Sequence, residues 1–111
     1  MEIDYKKVSN VGYTGIVYEN EFTEPGESPI IDTTIGFMFW TFVQENDCSS
    51  TGPNVYFEGS VDGKIWAQLA ISTAIGLDMI HVVFKPVRYI RVRVWDLGDG
   101  TKVKVIVYAF R

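Results

Sequence analysis

The side chains best suited to acid–base or nucleophilic chemistry in this 111-residue chain are a single histidine and a single cysteine. His81 sits in IHVVF, an alternating apolar segment, and no second histidine or cysteine cluster exists to complete a zinc site with it. It reads as a strand histidine satisfied by a neighbour rather than as a general base or metal ligand. Cys48 lies in the polar stretch NDCSSTGPN, where a cysteine nucleophile would need a base and an orienting partner that one histidine cannot both supply. Glu19, Glu21, Glu24 and Glu27 cluster in and before one loop, and Asp96 and Asp99 flank Gly98. Glycosidases hold two carboxylates across a cleft, and calcium sites converge several oxygens on one ion; neither spacing is diagnostic here. Solvated loop acids are the expected role, with a structural calcium at 20–27 as the other reading. No GxSxG, P-loop, dinucleotide fingerprint or EF-hand pattern occurs. The expectation is a protein without enzymatic activity, cofactor or metal.

A different chemistry is offered by Lys85, Arg88, Arg91 and Arg93, which form a basic stripe interleaved with Tyr89 and Trp95. Arginine and aromatic residues are enriched at protein-binding hot spots, so this stripe is a candidate interface. The expected partner-binding residues are Tyr5, Trp40, Tyr89, Arg91, Arg93, Trp95 and Phe110. Sugar stacking by Trp40, Trp95, Tyr56 or Tyr89 is a second reading. A third is a solvated outer sheet face with cross-strand charge pairs.

These side chains need a scaffold, and period-two alternation supplies it. Strands are predicted over 35–45, 53–61, 64–72, 78–84, 87–96 and 101–110, with weaker ones over 13–19 and 28–34. That gives about eight strands, and the gaps between them are too short for crossover helices. The predicted fold is therefore all-β, a single antiparallel β-sandwich of the jelly-roll kind, over residues 13–111, preceded by an arm at 1–12. Asp62-Gly63 suits a two-residue type I′ hairpin, and Leu97 to Gly100 a second reversal. Alternation puts Ile90, Val92 and Val94 on the core side of their strand, opposite Tyr89, Arg91 and Arg93. Val103, Val105 and Val107 likewise face inward. Segment 35–45 is apolar on both sides through Phe37, Met38, Phe39, Trp40 and Phe42, so one face fills the core and the other needs a loop, an arm or another chain over it.

Charge and composition narrow the partners. Ten basic residues stand against fourteen acidic ones, a net charge of −4 without a dense basic block, so nucleic acid is not expected. The apolar runs are far shorter than the roughly 20 residues that span a bilayer, so no membrane partner is expected. MEIDYKK has no apolar run after its charges, so no secretion signal is expected.

FEGSVDGKIWAQL followed by FKPVRYIRVRV resembles the discoidin, or factor 5/8 C-terminal-like, sandwich, in which an EGS-DG-W hairpin precedes a strand reading RYIR. The resemblance covers 53–96 and makes Ser60, Asp62, Gly63 and Trp66 a structural hairpin. True discoidin domains are longer and commonly carry a disulfide, which Cys48 alone cannot form. The shorter form looks like small virion accessory proteins of tailed bacteriophages, including jelly-roll capsid decoration or staple proteins such as the one on phage epsilon15. What this implies is a virion protein assembled in the host cytoplasm that binds the major capsid protein or another virion protein, as a homo-oligomer or as lattice-bound copies. The alternative is a carbohydrate-binding module or a tail or adhesin component.

Overall fold

The structure, a computed structural model, describes residues 15–110, with Ile35 described by its backbone only. Among the described residues there are nine strands: β1 (Gly15–Phe22), β2 (Gly26–Glu27), β3 (Ile31–Phe37), β4 (Phe39–Asn46), β5 (Asn54–Ser60), β6 (Ala67–Ser72), β7 (Leu77–Val82), β8 (Val87–Asp96) and β9 (Val103–Phe110). One sheet runs β1-β9-β4-β7 and the other β2-β8-β5-β6, with β3 also paired to β8. Every pairing is antiparallel, the first strand lies beside the last, and the second and third lie beside the eighth. This is the jelly-roll wrapping of an all-β sandwich. Gly15 is paired with Ala109, so β1 begins where β9 ends.

The inward rows are those that alternation assigns. Ile90, Val92, Val103, Val105, Val107 and Ala109 are completely buried. Between the sheets, the Phe42 and Phe57 rings stack with centroids 5.5 Å apart, and Trp40 meets Phe57 edge-on at 5.8 Å. Such aromatic contacts add about 0.5–1.5 kcal/mol each beyond the area they bury. The sheets are also joined by polar groups. Gln44, fully buried on β4, donates to the Ser72 hydroxyl and the Ala74 carbonyl, and Ser72 donates to Asp78 at 2.6 Å. Every member of that chain has a partner, as a buried polar group requires.

Two local expectations are corrected. The apolar segment 35–45 is not one strand: it breaks at Met38, leaving Phe37 in one sheet and Phe39 onward in the other. Gly36 has φ +71°, a left-handed conformation that costs glycine little, and the Met38 carbonyl accepts from the Lys85 amide. The chain thus crosses between layers where the apolar pattern is uninterrupted. The Asp62-Gly63 connection is not a two-residue hairpin either, because β5 ends at Ser60 and β6 begins at Ala67. Only Gly63 of the pair has positive φ, whereas a type I′ turn needs it at both positions.

Candidate functional site

The outward row of β8 carries Tyr89, Arg91, Arg93 and Trp95 of the stripe read from the sequence; Arg88 is exposed at the start of the strand, and Lys85 precedes it. Glu58 on β5 stands opposite Arg91, and Tyr56 opposite Arg93. Arg91 donates from Nε to Glu58 at 2.8 Å, and Arg93 reaches Glu58 at 3.6 Å and Glu27 at 3.4 Å. The planar guanidinium groups also stack. Arg91 lies 4.2 Å over the Trp66 ring, Arg93 4.2 Å over Trp95, and Arg88 5.2 Å from Tyr89. Tyr56 meets Trp95 edge-on at 6.1 Å. Arg88 forks onto both oxygens of Asp32, at 2.8 and 3.0 Å, and that hydrogen bond holds the Asp32 carboxyl below its ordinary range. The result is a platform of alternating guanidinium and aromatic planes, with Trp95 half exposed at its rim. Its charges are paired as a solvated sheet face would pair them, yet its flat apolar surfaces remain available.

The EGS-DG-W loop supports this platform from the side. Ser60, 2% exposed, accepts from the Gly63 amide at 2.8 Å and donates to Asp62. Asp62 accepts from the amides of Ile65 and Lys64, which lowers its pKa. These bonds hold the loop in one shape and deliver Trp66 to the face of Arg91. The loop is held by its own bonds, and Trp66 at its exit packs under Arg91.

The expected interface residues separate into groups. Tyr89, Arg91, Arg93 and Trp95 share the outward row of β8. Trp40 does not belong with them: it is 1% exposed, packs on Phe37 and Phe57, and donates from Nε1 to the Lys85 carbonyl. Its strand is apolar on both sides, so alternation alone leaves its face undecided. Phe110 is half buried on the outer face of the other sheet, paired with Phe39. Tyr5 and the arm at 1–12 lie outside the described residues.

A second surface was not named from the sequence. At the end of the sandwich where β3 meets β4, an open cleft of about 420 Å³ is lined by Gly36, Phe37 and Met38, by Val61 of the β5–β6 loop, and by Pro86, Val87 and Arg88. Of its lining, Met38 is 46% and Val61 74% exposed; in the adjoining turns Ile65 is 78% and Phe84 71% exposed. The signal for it was present in Met38 and Val61, apolar residues at turns where polar residues are usual. The opposite end is polar and bonded to itself. Asp47 accepts from Thr101 and Lys102, Asp99 from Ser49 and Ser50, and Asp96 from Asn54 and Gly98. Cys48 is buried there, with its thiol donating to the Leu97 carbonyl. His81 pairs through Nδ1 with the Thr41 hydroxyl at 2.9 Å. The reactive types singled out in the sequence are thus occupied by structural bonds.

These features define a discoidin-like β-sandwich with an arginine–aromatic sheet face and an apolar end. No protein-family model matches the chain, and no curated protein matches it in sequence. Solved structures share its fold at low identity. The SPBc2 prophage-derived protein YomS is 12% identical with a TM-score of 0.55, over 86% of this chain and 91% of that one. The K2 cleaved adhesin domain of Lys-gingipain is 9% identical with a TM-score of 0.58, over 88% of this chain and 70% of that one. The third CBM32 of a family 31 glycoside hydrolase from Clostridium perfringens is 12% identical with a TM-score of 0.53, over 90% of this chain and 76% of that one. The shared architecture therefore spans a prophage protein, an adhesin domain and a CBM32 domain.

Proposed function

We propose that this chain is a non-enzymatic virion protein of a tailed bacteriophage that binds the assembled capsid and clamps neighbouring shell subunits. The observation that carries the reading is the pair of unlike surfaces on one rigid sandwich: the guanidinium–aromatic platform on β8 and the apolar cleft at the β3–β4 end. A clamp needs two contact areas facing different neighbours. Arginine and tryptophan supply area and hydrogen-bond donors on the platform, and Met38, Val61 and Pro86 supply apolar area in the cleft, with Arg88 where the two meet. The fold likeness to the prophage-derived YomS, over 86% of this chain and 91% of that one, supports a phage setting. On a shell, many identical weak contacts act together and retain the protein strongly.

A carbohydrate-binding role is the second reading, favoured by the CBM32 neighbour and by half-exposed Trp95 beside Tyr56. One experiment separates them. The purified protein is cosedimented with capsids stripped of accessory proteins, and in parallel applied to a glycan array. The clamp reading expects saturable binding at a fixed ratio to a shell subunit; glycan binding without shell binding overturns it.

A further inference from the structure

Among the described residues the sandwich has four sheet edges, and three of them carry features that prevent another strand from adding. β1 has a register shift between Ile16 and Tyr18, and presents Glu19 and Glu21. The edge made by β2 and β3 is broken into two pieces, flanked by Pro25 and Pro29, with a further shift between Asp32 and Phe37 and a left-handed residue at Thr34. The ladder of β6 shifts opposite Phe57 and Glu58, which bulges the strand at Leu69. Such bulges, prolines and charges are the usual protections of an open edge.

β7 has none of them. Its pairing with β4 runs without a shift from Trp40 opposite Val82 to Glu45 opposite Leu77. No lysine, arginine or proline occurs between Leu77 and Val82, and the one acid, Asp78, is bonded back to Ser72. The outward row is open and mostly apolar: Leu77 is 63% exposed, Met79 55%, and Val83, just beyond, 54%, with exposed His81 as its polar member, bonded to Thr41.

We infer that β7 is a dimerisation edge, where a second copy of this chain adds antiparallel about a two-fold axis to make one continuous sheet across two sandwiches. The chemistry of the edge favours a second copy over a foreign strand. An antiparallel two-fold pairing must set residues of the same face opposite one another, because a one-residue slip would turn the core row to solvent. A register centred on Ile80 satisfies this, placing Leu77 opposite Val83 and Met79 opposite His81. It also keeps the two Asp78 carboxylates apart. With a net charge of −4, two copies meet best along an edge that brings no like charges together. The contact is closed, since each β7 completes the other and the remaining edges are protected. This surface differs from the β8 platform and the cleft, so the inference stands whether or not the protein binds a capsid.

The test is sedimentation equilibrium of the full-length protein alone, with Met79→Lys and Leu77→Lys measured beside it. The expected result is a reversible dimer that Met79→Lys weakens about 100-fold by setting like charges beside the axis and that Leu77→Lys weakens less, by replacing an apolar contact at each end of the ladder, with the monomer's thermal melt retained. Amide exchange at 77–83 is followed in the same dilution series, so that the wild-type protein gives an answer even where a variant fails to fold. Protection that grows with concentration at these amides supports the β7 edge. A monomer at every concentration, a dimer indifferent to both lysines, or protection that does not change with dilution overturns it.

Discussion

Asp99 accepts four hydrogen bonds, from the amides and hydroxyls of Ser49 and Ser50, and Asp47 accepts from the hydroxyl and amide of Thr101 and the amide of Lys102. These bonds favour the ionised forms. The Thr101 hydroxyl and amide are the chief causes that bring Asp47 from 3.8 to about 2, and the Ser50 hydroxyl and Ser49 amide take Asp99 lower still. A carboxyl whose folded pKa is depressed contributes stability above its ordinary value, and that contribution is lost as pH falls through the folded one. The melting temperature is therefore expected to decline from about pH 4 to pH 2. Asp47→Asn and Asp99→Asn should each start lower at neutral pH and decline less steeply in thermal melts. Val92 tests the face assignment. It is 0% exposed, so Val92→Asp would bury an unpaired carboxylate and abolish the cooperative melt seen by circular dichroism. A soluble variant with an unchanged melt would reverse the inward and outward rows of β8.

Among the elements, the strands with one polar face were legible and the others were not. In β8 and β9 the alternation of Val with Arg or Lys states both the strand and its orientation, and the structure agrees from Tyr89 to Val94 and from Val103 to Val107. β4 has no such contrast: Trp40, Phe42 and Gln44 point inward while Phe39, Thr41 and Val43 share the outer row, and residue type distinguishes neither set. The sequence alone therefore leaves Trp40 as eligible for the surface as for the core, where it lies. β2 has two residues and no pattern to read. The β5–β6 connection was visible as a bend in EGSVDGKIW, but its length depends on side-chain bonds from Ser60 and Asp62 that composition does not encode. Asp62→Ala removes the acceptor for the Lys64 and Ile65 amides, whose exchange with solvent should accelerate while β5 and β8 stay protected. Gly63 has φ +80°, so Gly63→Val should destabilise by about 1–2 kcal/mol, read by chemical denaturation.

Over the whole molecule, the site was half visible. Tyr89, Arg91, Arg93 and Trp95 announce themselves because they recur at every second position of one strand. Trp66 joins them only through the loop, and the apolar end assembles from three separated turns, each unremarkable alone. The platform and the cleft make separable contributions to the proposed binding. Trp95→Ala removes a half-exposed ring without touching the core, and is expected to weaken capsid retention about 10- to 100-fold while the melting temperature changes little. Val61→Asp should act on the cleft contact, and the contribution of Arg91 and Arg93 should weaken as salt is raised.

The pairing of Gly15 with Ala109 also settles how the sandwich carries load. Tension applied where β1 begins and β9 ends peels one ladder open a pair at a time, with only a few hydrogen bonds resisting at any moment. Force entering through the sheet faces is shared by whole rows of side chains and by the Gln44–Ser72–Asp78 link between layers. A molecule of this build is soft when pulled by that corner and stiff when squeezed or sheared between two neighbours.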